Sequence, residues 1–459
     1  MTRMSSYSPR QKRVLLVSIL ASFVSFLDGF IVNVALPAIA RDLGGGLTAQ
    51  QWVVNAYLLT LGSLMLLAGS LSDLFGRERI LTMGLIGFGA ASILCALAPN
   101  AAFLEVMRAL QGAAGALLVP SSLALIMANF SGTEEGSAIG TWTSWTVVAA
   151  VVGPLLGGFL VDAISWRAIF GVNVLPIGLV LWLMRPLEPA PHPKGQSAVD
   201  GIGSLLGALG LGAVMYALIE QPHRGWANPL IVLPLSLGLL ALAVFVWYER
   251  RATQPMLPVA LFANRNFRVG NIATVLIYGA LSSSTFVVTI FVQEAAGYSA
   301  LAAGLTFLPV TALMFLLSSY FGKLAGRYGP RLFMAAGPMV AGVGFLLMLR
   351  LDEVARYWSD LFPGVLLLGL GLALTVAPLT AAILGAVDKE QSGIASAVNN
   401  AASRLAGLVA IAGIGIIVGS KLTVAGFHAA LWFIVALLFA GGMVSAIGIT
   451  NPSDREGEG

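Results

Sequence analysis

Apolar residues run through this chain in blocks of about twenty, the length an α-helix needs to cross the hydrocarbon of a bilayer, and charged residues, Pro and Asn mark the breaks between blocks. Taking each block from break to break predicts spans at 14–37, 51–72, 79–97, 101–128, 137–161, 166–185, 199–219, 228–248, 267–293, 299–321, 331–350, 359–385, 393–420 and 426–449. The expectation is an all-α integral membrane protein of fourteen helices. An even number of crossings leaves both termini on one side, and the distribution of Lys and Arg selects that side. With the N-terminus inside, seventeen basic residues fall in inside segments and six in outside segments; Arg108 and Arg404 lie within spans. Both termini are therefore expected in the cytoplasm. Arg3, Arg10, Lys12 and Arg13 precede an apolar run too long for a signal-peptide core, which reads as a retained tail.

Composition agrees with a bilayer as solvent, since 58% of residues are hydrophobic and 10% charged, against roughly 25% charged in soluble domains. The 53 Gly and 21 Pro lie inside the apolar runs and not in polar linkers, so disorder is not indicated. Cys95 is the single cysteine, and His192, His223 and His428 are scattered, which leaves no disulfide framework and no metal-ligand set. No cofactor is expected. The net charge of +4 is accounted for by loop topology, and nucleic acid is not an expected partner. The chain has no phosphate-cradling loop and no long soluble segment, which excludes direct ATP coupling within it. No nucleophile and base stand at workable spacing, so an enzyme is not expected.

An internal repeat organises the helices. GSLSDLFGRER (69–79) follows the second span and GKLAGRYGPR (322–331) follows the tenth, 253 residues on. If helices 7 and 8 are an inserted pair, helices 9 to 14 repeat helices 1 to 6. The predicted organisation is a six-helix bundle over 1–185, an inserted two-helix segment with linkers over 186–265, a second six-helix bundle over 266–450 and a short tail over 451–459.

Two motifs join this loop: RALQGAAGA (108–116) in helix 4, and GPLLGG (153–158) in helix 5 followed by SWRAIFGVNVLPIG (165–178). With LDGFIVNVALP (27–37) at the end of helix 1, their order and spacing resemble the fourteen-helix drug:proton antiporter branch of the major facilitator superfamily. The loop then resembles a conformational latch made of Gly69, Asp73, Gly76, Arg77 and Arg79, in which Gly69 permits close helix approach and Asp73, Arg77 and Arg79 pair across the cytoplasmic mouth; the alternative is that the arginines only anchor helix ends. The second copy has Gly326 where the family usually has Asp, so its latch is expected to be weaker. Gly153, Pro154, Gly157 and Gly158 form the segment the family associates with antiporters, although small residues also serve ordinary close packing.

Asp28 is the first candidate for chemistry, because an ionisable group in a membrane helix marks a cavity or a partner. It lies nine residues from the outer end of helix 1, about 13 Å at 1.5 Å per residue. Arg108 lies at similar depth in helix 4, and Glu105, three residues earlier, shares its helix face. The resemblance places helices 1 and 4 together on the central cavity. Asp28, Arg108 and Glu105 are thus the expected proton-coupling cluster, unless the pair is a permanently ionised brace. The family usually has Thr two residues after this acid, and here Phe30 stands there. Asn33, Asn55, Trp142, Trp145, Tyr278, Asn399, Asn400 and Arg404 are candidate cavity residues, and Glu294 a candidate second acid. The function expected is proton-coupled export of small hydrophobic drugs or metabolites, cationic ones included, by a monomer in a bacterial inner membrane, with a gradient-independent lipid or solute facilitator as the alternative.

Overall fold

The computed structural model describes residues 7–187, 200–252, 259–388, 391–419 and 421–451. Arg3, His192, the side chain of Asp73 and, among the seventeen basic residues counted as inside, Lys194, Lys389 and Arg455 lie outside the described residues. All secondary structure described is helical. In chain order the helices are α1 (Pro9–Leu43), α2 (Gly46–Phe75), α3 (Arg77–Ala96), α4 (Ala101–Asn129), α5 (Gly132–Ala163), α6 (Ala168–Met184) and α7 (Gly201–Arg224). They continue with α8 (Pro229–Glu249), α9 (Arg265–Glu294), α10 (Ala300–Tyr328), α11 (Pro330–Arg350), α12 (Tyr357–Leu384), α13 (Ser392–Val418) and α14 (Val424–Gly448).

Fourteen spans were expected, but twelve helices among the described residues are long and apolar enough to cross a membrane. α6 is shorter than these twelve, its apolar stretch being interrupted at Val172 and Asn173. α2 is thirty residues long but is not one of the twelve, and its Leu66, Ser70 and Asp73 side chains are not described.

Helix ends follow local chemistry. Ser8 and Gln11 form a reciprocal capping box, while Asn100, Asn264, Ser299 and Thr423 each cap a helix start by accepting a backbone N–H that has no partner within the helix. The turn from α2 to α3 is made at Gly76, φ 97°, and that from α10 to α11 at Gly329, φ 84°. Both need a backbone that side-chain-bearing residues disfavour, and they occupy equivalent places in the two copies of the loop.

Packing repeats along the chain. In the first six helices α1 packs on α5 and α6, α4 on α2 and α3, and α3 on α6. In the last six, α9 packs on α13 and α14, α12 on α10 and α11, and α11 on α14. Each contact recurs eight helices on. α7 packs against α8, α2 and α13, whereas α8 presents Leu230, Leu233, Leu237 and Leu240 outward.

The two sets of six meet at the end opposite the termini. There Gln50 donates to Glu294 (2.7 Å), Gln51 to the Ile411 carbonyl (2.6 Å) and Gln293 to the Val34 carbonyl (3.1 Å). Asp162, near the end of α5, accepts the backbone N–H groups of Ala300 (3.1 Å) and Leu301 (2.9 Å), a carboxylate set at the positive end of α10. Gly158 makes this junction possible, since a Cβ there would stand 2.4 Å from Leu301 Cα. The apolar core is continuous across this end, joining Ile31, Val32 and Leu36 of α1 to Phe286 and Phe291 of α9.

Candidate functional site

The charges of α1 and α4 meet inside the first six helices. Arg108 Nη1 donates to Asp28 Oδ2 at 2.5 Å, and both side chains are 0% exposed. Asp28 Oδ1 accepts two further N–H groups, from Gln111 Nε2 (2.8 Å) and Asn173 Nδ2 (2.9 Å). Arg108 Nη1 also reaches Gln111 Oε1 (2.7 Å), and its Nε reaches the Val53 carbonyl (3.0 Å). Gln111 closes the network on Ser92 Oγ (2.9 Å). The Tyr57 ring lies under the guanidinium, 4.3 Å from Cζ, and the Tyr57 hydroxyl is tied to the Ser25 carbonyl (3.0 Å). Five helices, α1, α2 (through Val53 and Tyr57), α3, α4 and α6, contribute or frame this network, so it fixes most of the bundle at one point.

Glu105 is not part of it. It is half-buried, makes no hydrogen bond among the described residues, and has Glu220 of α7 as its electrostatic neighbour. Residues 105 and 111 both lie one turn from Arg108; the structure puts Gln111, not Glu105, on the face that meets Asp28. Gln111, Asn173 and Ser92 were missed because neutral polar side chains carry no signal of cost in an apolar run. Asn173 does lie within the motif over 165–178.

Beside the network lies a cavity of about 330 Å³ between the first and last six helices, within the range of small-molecule sites. Of the expected cavity residues, Asn33, Tyr278, Asn400 and Arg404 line it, and Arg108 reaches it. The others do not line it. Asn55 is buried in α2, Trp142 donates to Ser22 Oγ (3.0 Å) and Asn399 to Thr274 Oγ1 (2.7 Å), and Trp145 is exposed on α5. Glu294 lies in the clasp with Gln50 at the end opposite the termini.

The helix-5 residues face two partners. A Cβ at Gly153 would stand 2.8 Å from Phe30 Cβ, and one at Gly157 2.8 Å from the Ile31 carbonyl, while Gly158 and Pro154 abut α10. In the loop over 69–79, Gly76 makes the turn and Arg79 is exposed, whereas Gly69 does not serve close helix approach as expected, since a Cβ there would meet only open space.

The profile of the Major Facilitator Superfamily matches residues 18–411 of the chain. The puromycin resistance protein pur8 of Streptomyces alboniger is 36% identical over 413 residues, covering 88% of this chain and 81% of the relative. The multidrug resistance protein Stp of Mycobacterium tuberculosis is 34% identical over 415 residues, covering 90% and 77%. Among solved structures, a peptide transporter POT superposes with a TM-score of 0.70 over 96% of this chain and 94% of its own, at 15% identity, which is a likeness of fold.

Proposed function

Because the chain belongs to the major facilitator superfamily, and is thus a membrane transporter and not an enzyme, we propose that it is a proton-coupled exporter of small hydrophobic drugs or metabolites working by alternating access. The observation that carries this reading is the buried Asp28–Arg108 pair set directly against the cavity. Relatives described as resistance proteins, for puromycin and for several drugs, support export as the direction.

In this reading all fourteen helices cross the bilayer, as two six-helix bundles with α7 and α8 inserted between them, in the manner of the fourteen-helix antiporters. The recurrence of packing partners eight helices on supports that division. Both termini face the cytoplasm, the membrane is the inner membrane of a bacterium, and the unit is a monomer. The clasp opposite the termini then shuts the external side, and cargo loads from within.

Asp28 is the proton carrier. Protonation requires it to leave Arg108, so proton uptake is tied to a rearrangement of α1 against α4 and α6. Each proton entering down 100 mV releases about 2.3 kcal/mol, with about 1.4 kcal/mol more per pH unit, so one or two protons suffice for substantial accumulation. The loop over 69–79 serves as the cytoplasmic latch, and the glycines of α5 as the sliding surface on α1 and α10.

One observation favours the second reading, a gradient-independent facilitator: both Asp28 oxygens are already engaged by three donors, as a static brace would have them. Transport by purified protein in proteoliposomes separates the two. Hydrophobic cations, anions and neutral compounds are compared with and without an imposed pH gradient, for the native chain and Asp28→Asn. Gradient-driven accumulation lost in Asp28→Asn is the expected result; flux that ignores both the gradient and the substitution replaces the antiporter with the facilitator.

A further inference from the structure

The central cavity carries a positive charge with no counter-ion among the described residues. Arg404 stands on α13 twelve residues after Ser392, about 18 Å along the helix at 1.5 Å per residue, too deep for one side chain to reach either interface. It lines the cavity, half-buried, with its Cζ 5.5 Å from the Phe26 ring. Among the described residues it donates no hydrogen bond and has no carboxylate within ion-pair distance. The other guanidinium at the cavity, that of Arg108, is neutralised by Asp28 but leaves Nη2 buried without an acceptor. Among the described residues no carboxylate lines the cavity, because Asp28 is 0% exposed behind Arg108. Around Arg404 are neutral hydrogen-bonding groups, Asn400, Ser403 and Tyr278, and the aromatic face of Phe26.

An unpaired cation is costly at membrane depth, so such groups mark ion or substrate pathways. Arginine in addition offers a planar fork of donors suited to carboxylate and other oxyanions. We propose that the cavity receives a hydrophobic anion, a compound bearing a carboxylate, sulfonate or ionised phenol on an apolar frame, with its charged group seated on Arg404. The cargo is then acidic, in place of the cation that a lone membrane carboxylate suggests, because that carboxylate is consumed by Arg108. This rests on the reading of the chain as a transporter that loads cargo in this cavity, but not on its coupling to protons.

The test is equilibrium binding to the purified full chain in detergent, with tetraphenylborate and tetraphenylphosphonium as hydrophobic ions of matched shape and opposite charge. Affinity is read from the shift of the thermal unfolding midpoint during titration. The native protein should bind the borate at least tenfold more tightly; the preference should vanish in Arg404→Gln and persist in Arg404→Lys. Equal binding of the two ions by the native protein, a preference for the phosphonium, or a borate preference unchanged in Arg404→Gln overturns the proposal. The native comparison decides even where Arg404→Gln does not fold. Binding needs no gradient, so anion preference without gradient-driven export would sink the antiporter alone, and antiport without anion preference would sink this assignment alone.

Discussion

Gln111 converts a buried ion pair into a network. It accepts from Arg108 and from the Cys95 thiol and donates to both Asp28 and Ser92, so four partners depend on one neutral amide. Removing one member of a buried pair strands the other charge, at about 3–5 kcal/mol, while losing a single neutral hydrogen bond costs about 1 kcal/mol. Arg108→Met should therefore lower the thermal unfolding midpoint far more than Ser92→Ala. Adding Asp28→Asn to Arg108→Met should recover part of the loss, because the stranded carboxylate is gone. Additive effects in that double-mutant cycle would mean that the two groups do not depend on one another. Asp28 and Arg108 were legible in the sequence because a charge in an apolar run is conspicuous. Glu105 was misplaced for a geometric reason: spacing by three shows which residues share a helix sector with Arg108, but not which neighbouring helix that sector faces. Here residue 105 looks towards α7 and residue 111 towards α1.

α5 is the element whose sequence and packing agree most closely. Its glycines were read from resemblance as an antiporter segment, and the structure gives each a neighbour that leaves no room for a side chain: α1 at Gly153 and Gly157, α10 at Gly158. Close approach of this kind comes from small residues, and Asp162 one turn further on fastens the same junction to the start of α10. Nothing in the apolar pattern distinguished Asp162 from an ordinary helix-end acid, because its partners are backbone N–H groups 138 and 139 residues away. Gly158→Ala should wedge α5 from α10 and loosen the end opposite the termini. A cysteine placed at Asn33, in the cavity, reports it: its rate of modification by a membrane-impermeant thiol reagent added from that side should rise several-fold in Gly158→Ala. The native Cys95, 0% exposed, supplies an unreactive background. An unchanged rate would show that the contact does not seal the cavity. Helix ends were less legible than helix cores, as α6 illustrates, where Asn173 breaks an apolar run that composition alone reads as continuous.

At the scale of the whole molecule, the clasp opposite the termini lies across the line where the two sets of six helices meet. Gln50 of α2 and Glu294 of α9 are hydrogen-bonded side chain to side chain at 2.7 Å, although 244 residues separate them. Alternating access requires this contact to break once in every cycle, whereas a protein that never opens there can keep it permanently. Cysteines at Gln50→Cys and Glu294→Cys, in a chain whose own cysteine is buried, stand close enough to be joined by oxidation or by a short bifunctional reagent. Cross-linking should lower vectorial flux at least tenfold in proteoliposomes, and reduction of the oxidised form should restore it. Binding to the cavity from the side of the termini should survive the cross-link, because the clasp lies at the other end. Flux that is indifferent to the link would mean that cargo leaves by a route that bypasses this end. The apolar face between α9, α13 and α14 would then be the first place to look, since it borders a cavity of about 690 Å³ lined by Ile272, Val275, Val409 and Phe433.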